Sequence, residues 1–121
     1  IQEVDNLVFN AGKGYVASRM KDDSATAMSN SAIGSGSSAA GASDTALGSE
    51  LGRVALTSTT VVGAVVTYVA SFAAGTGTGA VTEAAILNAS SSGTMLCRTV
   101  FSVVNKGASD SMTVTWTVTV S

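Results

Sequence analysis

The sequence predicts a mainly β protein, an antiparallel β-sandwich with jelly-roll-like character and one short N-terminal helix. The clearest observation is segment 112–120, where apolar residues alternate with four threonines, the pattern of a half-buried strand. Segments 53–60, 64–72, 81–88 and 94–104 are also rich in β-forming residues. Turn sequences separate these strands at intervals of roughly 8–12 residues, which favours a small sandwich.

The N-terminal third differs from the rest. Residues 10–21 predict a helix, with Asn10 as its N-cap and with Tyr15, Val16 and Met20 near one face. Gly12 and Gly14 each disfavour the helix by about 1 kcal/mol relative to alanine, so it must depend on packing. We expect an N-terminal arm and helix over about residues 1–22 of a single domain spanning residues 1–121.

Between this helix and the strands, residues 25–33 predict a weak strand. Residues 34–43 contain only Gly, Ser and Ala, which predicts a flexible loop that a partner could order. The run 60–63 is a hairpin candidate, and the glycine-rich segment 75–79 a loop between strands.

Composition excludes several classes of protein. The 121 residues carry six Lys plus Arg against eight Asp plus Glu, so the positive surface typical of nucleic-acid binders is missing. One cysteine excludes an internal disulfide framework, and the lack of histidine removes the commonest general base and metal ligand. The longest apolar run, residues 61–74, is shorter than the about 20 residues of a membrane-spanning helix. We therefore expect no enzyme activity, cofactor, metal, small-molecule substrate, nucleic acid or membrane partner.

Three motifs that suggest chemistry have simpler interpretations. Residues 34–39 match the letters of a dinucleotide fingerprint, but no helix follows closely. Residues 75–79 lack the Lys-Ser/Thr of a phosphate loop. Cys97 lies within a strand with Arg98 on the opposite face, which predicts a buried, inert thiol.

Glu83 is the acidic residue that needs an explanation, because it lies in an apolar strand and a buried charge needs a partner. Arg53 and Arg98 are the candidates for a structural ion pair. An inter-subunit contact and a catalytic role are the alternatives, and a paired-carboxylate hydrolase also stays open.

Threonine occupies strand positions where monomers often place Lys and Glu. Such a surface has little charge to keep molecules apart, which favours homo-oligomers or attachment to a protein lattice.

Three groups of segments, taken in order, resemble small virion proteins of tailed bacteriophages. They are 10–12 with 32–36, then 42–53, and finally 79–88 with 93–96 and the closing strand 113–118. The order is similar to the N-terminal module of phage tail-collar fibre proteins and to the β-sandwich cement proteins that decorate phage capsids. Because the sequence stops at Ser121 on a completed strand, we expect the cement protein rather than a fibre module.

The resemblance implies a virion protein on the capsid surface that binds the major capsid protein and stabilises the shell. A tail fibre or collar module and a glycan-binding sandwich are the alternatives. The segments expected to contact the partner lie in the N-terminal arm and the glycine-serine loop: Ile1, Val4, Leu7, Ile33, Gly34 and Gly36.

Overall fold

The computed structural model describes residues 7–8, 10–21, 26–41 and 43–119. This part of the chain contains one helix and eight strands. In chain order they are β1 (Leu7–Val8), α1 (Asn10–Lys21), β2 (Asn30–Gly34), β3 (Glu50–Ala55), β4 (Ser58–Val62), β5 (Val65–Phe72), β6 (Gly79–Leu87), β7 (Met95–Lys106) and β8 (Met112–Thr119).

The strands form two antiparallel sheets, which confirms the predicted β-sandwich. The larger sheet has the order β1-β7-β6-β2-β3, and the smaller has the order β4-β5-β8. A core of apolar side chains fills the space between them. The larger sheet contributes Ile33, Val81, Ala84, Ile86 and Cys97, and the smaller contributes Tyr68, Ala70, Phe72, Trp116 and Val118.

The single strand predicted over 53–60 is wrong, because this segment crosses from one sheet to the other. β3 pairs with β2 and β4 pairs with β5. At the crossing, Leu56 N–H donates to Ser29 O at 2.9 Å and Thr57 N–H donates to Val69 O at 2.7 Å. Consecutive amides thus bond to different layers, which a continuous run of β-forming residues does not reveal.

Helix α1 has the predicted bounds and rests on β7. Tyr15 and Val16 pack against the core, but Met20 is 84% exposed, so its predicted place on the packed face is wrong. Gly12 lies so close to β7 that a Cβ there would clash with the Leu96 carbonyl oxygen, whereas Gly14 faces open space. The helix therefore contacts the rest of the fold through its earlier turns.

The second face of the larger sheet is covered by the segment between β2 and β3. Ala40 and Leu47 of this segment pack on a small apolar cluster formed by Ala32, Ala85, Leu87 and Met95. The strand predicted over 25–33 begins only at Asn30, and position 25 lies outside the described residues. Residues 35–41 and 43–49 thus lie on the sheet and form what we call the covering loop. The predicted loop over 34–43 is present from Ser35 onward, whereas Gly34 belongs to β2.

Candidate functional site

Glu83 and Arg98 lie on the covered face of the larger sheet, on neighbouring strands. In the β6–β7 ladder Glu83 is opposite Val100 and Arg98 is opposite Ala85, so the two side chains meet on a diagonal. Arg98 Nε donates to Glu83 Oε1 at 2.8 Å, and both side chains are buried. The predicted ion pair of Glu83 is therefore present, with Arg98 as the partner.

A register irregularity places Glu83 on this face. The pairing of β6 shifts between Val81 and Glu83, and simple alternation would put both side chains on the same side of the sheet. Because of the shift, Val81 enters the core between the sheets, while Glu83 turns toward the covering loop.

Three backbone amides of the covering loop complete the surroundings of the carboxylate. Gly36 N–H and Ser49 N–H donate to Glu83 Oε2 at 2.7 and 2.8 Å, and Gly48 N–H donates to Oε1 at 2.9 Å. A Cβ on either Gly34 or Gly36 would come within 2.5 Å of Oε2, so these positions have no room for a side chain. We call this arrangement the Glu83 cradle: Glu83, Arg98 and the amides of 36, 48 and 49.

Arg98 attaches the same loop at two further points. Its guanidinium donates to Asp44 Oδ2 at 3.1 Å and to Ser38 O at 3.0 Å. Asp44 Oδ2 also accepts from Gly41 N–H at 2.9 Å. The loop is therefore held through both charges of the buried pair.

The cradle keeps Glu83 ionised. Burial alone raises the pKa of this carboxyl group, but the amides of 49, 48 and 36 and the Arg98 guanidinium outweigh it and hold the pKa below its ordinary value. With its side chain fully buried and four donors on its two oxygens, Glu83 cannot reach a substrate in this conformation. The arrangement is suited to fixing a loop.

The prediction that Arg53 could be the partner of Glu83 is wrong. Arg53 pairs with Glu50, through Nη2 to Oε1 at 2.6 Å, and its Nη1 donates to the carbonyl oxygens of Ala89 and Ser92. Arg53 belongs to edge strand β3, where it holds the β6–β7 turn. The sequence pattern did not show which of the two arginines pairs with Glu83.

The predicted partner-contact residues have different fates. Ile33 and Gly34 are buried, the first in the core between the sheets and the second beneath the cradle, so the prediction that they contact a partner is wrong. Gly36 is half-buried and its N–H is bonded to Glu83. The backbone of Leu7, in β1, pairs with that of Arg98, in β7. Ile1 and Val4 lie outside the described residues.

Other groups in the described ranges offer little chemistry. Cys97 is fully buried, and burial raises the pKa of its thiol to about 12, in keeping with the predicted inert cysteine. Tyr68, Phe72 and Trp116 are in the core. Residues 7–8, 10–21, 26–41 and 43–119 contain no group of three or more Cys, Asp or Glu that could hold a metal ion. In these ranges no helix has the length and apolarity needed to cross a membrane.

The outer surface of the smaller sheet is uncharged. Register and alternation bring eleven side chains to this face, all serine, threonine or valine, and all exposed or half-buried. We call them the Thr/Val face: Ser58, Thr60, Val62, Val65, Thr67, Val69, Ser71, Thr113, Thr115, Thr117 and Thr119.

Comparison with known proteins gives no relative on which to base a function. No protein-family model matches the chain, and no curated protein matches it with significant similarity. A functional assignment therefore depends on the contacts and surfaces of the described residues.

Proposed function

We propose that this chain is a structural protein of a phage particle, a cement protein that binds the major capsid protein lattice and stabilises the assembled shell. It would act on the capsid surface by mass action, since a protein that binds only the assembled shell favours that shell. The resemblance to phage cement proteins motivates the proposal, and the Thr/Val face is the observation that carries it.

The Thr/Val face is suited to close packing against other proteins. Burying a charge in an interface is costly unless the charge is paired, and this face has none to bury. Its valines and threonine methyl groups provide apolar area, while the hydroxyl groups can bond to main-chain groups of a partner. A lattice offers many identical copies of such a partner, so weak contacts can add up.

The Glu83 cradle supports a structural role in a second way. It fixes the covering loop on the outer face of the larger sheet through internal hydrogen bonds, so these polar groups serve the fold. Among the described buried side-chain nitrogen and oxygen atoms, Trp116 Nε1 alone has no hydrogen-bond partner. The polar groups of the described interior are thus largely used to hold the fold.

The experiment is addition of the purified chain to capsids that lack it, followed by co-sedimentation and thermal melting of the shells. We expect saturable, stoichiometric binding and a higher melting temperature. Thr115→Lys and Thr67→Lys, which place a charge on the Thr/Val face, should each weaken binding by ~10-fold or more. Ser91→Lys, in an exposed turn, is the matched control and should bind like the wild type.

Three outcomes would contradict the proposal or part of it. Absence of binding to heads at high protein concentration would exclude the cement role. Binding to tails with no binding to heads would favour the fibre or collar alternative. Equal binding by Thr115→Lys, Thr67→Lys and the wild type would exclude the Thr/Val face as the contact surface.

A further inference from the structure

We propose that two copies of the chain pair through the open edge of β4, joining their smaller sheets into one continuous antiparallel sheet. Each copy would contribute the three strands β4, β5 and β8. This inference concerns the chain in solution and does not depend on the capsid proposal.

Strand β4 is the least covered strand for which side chains are described. All five of its residues are exposed, and Val61 and Val62 are 66% and 77% exposed. Thr59 and Val61 are opposite Tyr68 and Val66, which pack in or against the core, yet they are themselves uncovered. The larger sheet therefore does not cover β4, and both faces of this strand expose apolar surface to water.

The main chain of β4 can accept another strand. The two-residue turn at 63–64 makes Val62 and Val65 a hydrogen-bonded pair. Because hydrogen-bonded and non-hydrogen-bonded pairs alternate along the ladder, the main-chain N–H and C=O groups of Thr60 and Ser58 also point toward β5. The N–H and C=O groups of Thr59 and Val61 point to the open edge, which has no other neighbour among the described strands.

Protein edges usually carry features that prevent such pairing, and β4 lacks them. Its sequence, Ser-Thr-Thr-Val-Val, has no charge and no proline, and its pairing with β5 has no register shift. Edge strand β3 provides the contrast, because its Glu50–Arg53 ion pair puts charged groups at that border. The open edge of β4 is therefore not protected against a second strand.

A second copy of β4 is the partner that fits this edge. A two-fold axis through Thr60, the middle residue, pairs the largest number of residues: Thr60 with itself, Thr59 with Val61 and Ser58 with Val62. An isologous contact brings like groups near each other, so a charged edge would repel its own copy, whereas β4 has no charge to repel. Each exposed valine would lie opposite a hydroxyl-bearing residue of the partner.

Sedimentation equilibrium of the full chain tests the pairing. We expect a mass twice the monomer value of 11.9 kDa at high concentration. Val61→Pro removes one edge N–H from each copy, and losing two hydrogen bonds at the interface should raise the dissociation constant by ~100-fold. Val61→Thr keeps the N–H and is the matched control, so its dissociation constant should stay within a few-fold of the wild type. A wild-type monomer at millimolar concentration would overturn the proposal.

Cysteine cross-linking provides a second test that does not depend on how well Val61→Pro folds. With the axis at Thr60, the two Cα atoms would be about 4.5 Å apart in a non-hydrogen-bonded pair, within the range of a disulfide. Thr60→Cys should therefore give a covalent dimer on mild oxidation, without interference from the buried Cys97. Ser91→Cys should stay monomeric, and cross-linking of Thr115→Cys with none of Thr60→Cys would assign the contact to β8 and overturn the proposal.

Discussion

Glu83 and Arg98 form a buried ion pair between neighbouring strands, and within the described part of the chain the other hydrogen bonds of both side chains go to a single loop. The carboxylate accepts from the amides of 36, 48 and 49, while the guanidinium donates to Ser38 and Asp44. The pair therefore joins the covering loop to the larger sheet, with an apolar cluster around Ala85 and Leu87 beside it.

Removing the charge of Glu83 should strongly destabilise the fold. Glu83→Gln leaves buried Arg98 with the partly exposed Asp44 as its counter-charge and directs an amide NH₂ at backbone donors, so we expect a loss of about 3–5 kcal/mol in the free energy of unfolding. Urea denaturation measures it. Glu50→Gln is the matched control, because the Glu50–Arg53 pair is partly exposed and should be worth less than about 1 kcal/mol. Equal effects of the two substitutions would contradict the role given to the cradle.

Stability should fall as Glu83 is protonated. Its pKa in the folded state lies below the ordinary value of 4.5, so the unfolded chain binds this proton more readily. The contribution of Glu83 is therefore complete above about pH 4.5 and is lost as the pH falls below that value. Urea unfolding from about pH 7 to about pH 3 should show this loss, and the Glu83→Gln variant should have a flatter profile over the same acidic range. Parallel profiles for the two proteins would refute the prediction.

The close approach of Gly36 to the cradle predicts a cost for the smallest side chain. Gly36→Ala would bring Cβ within 2.5 Å of Glu83 Oε2 and 2.8 Å of its Cδ, so we expect a loss of about 1–3 kcal/mol from overpacking. Gly41→Ala is the control in the same loop, since its nearest contact, Asp44 Oδ1 at 3.7 Å, is an ordinary one. Thermal melting compares the two, and a Gly36→Ala protein as stable as Gly41→Ala would argue against a tight cradle.

The two glycines of helix α1 should respond to alanine with opposite signs. Gly12→Ala would drive a methyl group into the Leu96 carbonyl, which should cost about 1–3 kcal/mol. Gly14→Ala meets nothing within 4 Å and should stabilise the protein by up to about 1 kcal/mol through helix propensity. Chemical denaturation of both variants gives the comparison. Stabilisation by Gly12→Ala would mean that the helix does not rest on β7 at this point.

Cys97 should be unreactive in the folded chain. Burial, only partly offset by a hydrogen bond from the backbone at Ile86, raises the pKa of its thiol to about 12, so little thiolate forms at mildly alkaline pH. A thiol reagent should modify the native protein very slowly and the urea-unfolded protein rapidly, with one thiol per chain. Fast modification of the native protein would contradict the burial of this side chain.

Local sequence patterns predicted the elements that local forces determine. Alternation over 112–120 located β8 and the burial of Trp116, and the helical pattern over 10–21 gave the bounds of α1, although Met20 is exposed. The need of a buried charge for a partner identified Glu83 as one member of an ion pair. In each case the physical reason acts within a few residues or on one residue alone.

The failures concern contacts between distant parts of the chain. The glycine-serine composition of 34–43 indicated flexibility, but the loop is fixed by Glu83, which is 47 residues from Gly36. The sheet crossing at 56–57 depends on Ser29 and Val69, neither of which is marked in the run of β-forming residues. The prediction that Ile33 and Gly34 contact a partner failed because the sequence does not reveal which residues cover them.

The cradle also has an evolutionary consequence. Glycine at positions 34 and 36 makes the backbone more flexible, and the carboxylate of Glu83 occupies the space that side chains at these positions would need. A lineage that replaces Glu83 with a small residue loses the reason to keep Gly36, whose near contacts are all atoms of Glu83, whereas Gly34 is also confined by the Ser49 carbonyl oxygen. A lineage that keeps the acid must keep both glycines. In diverging copies of this chain, positions 36 and 83 should therefore change together.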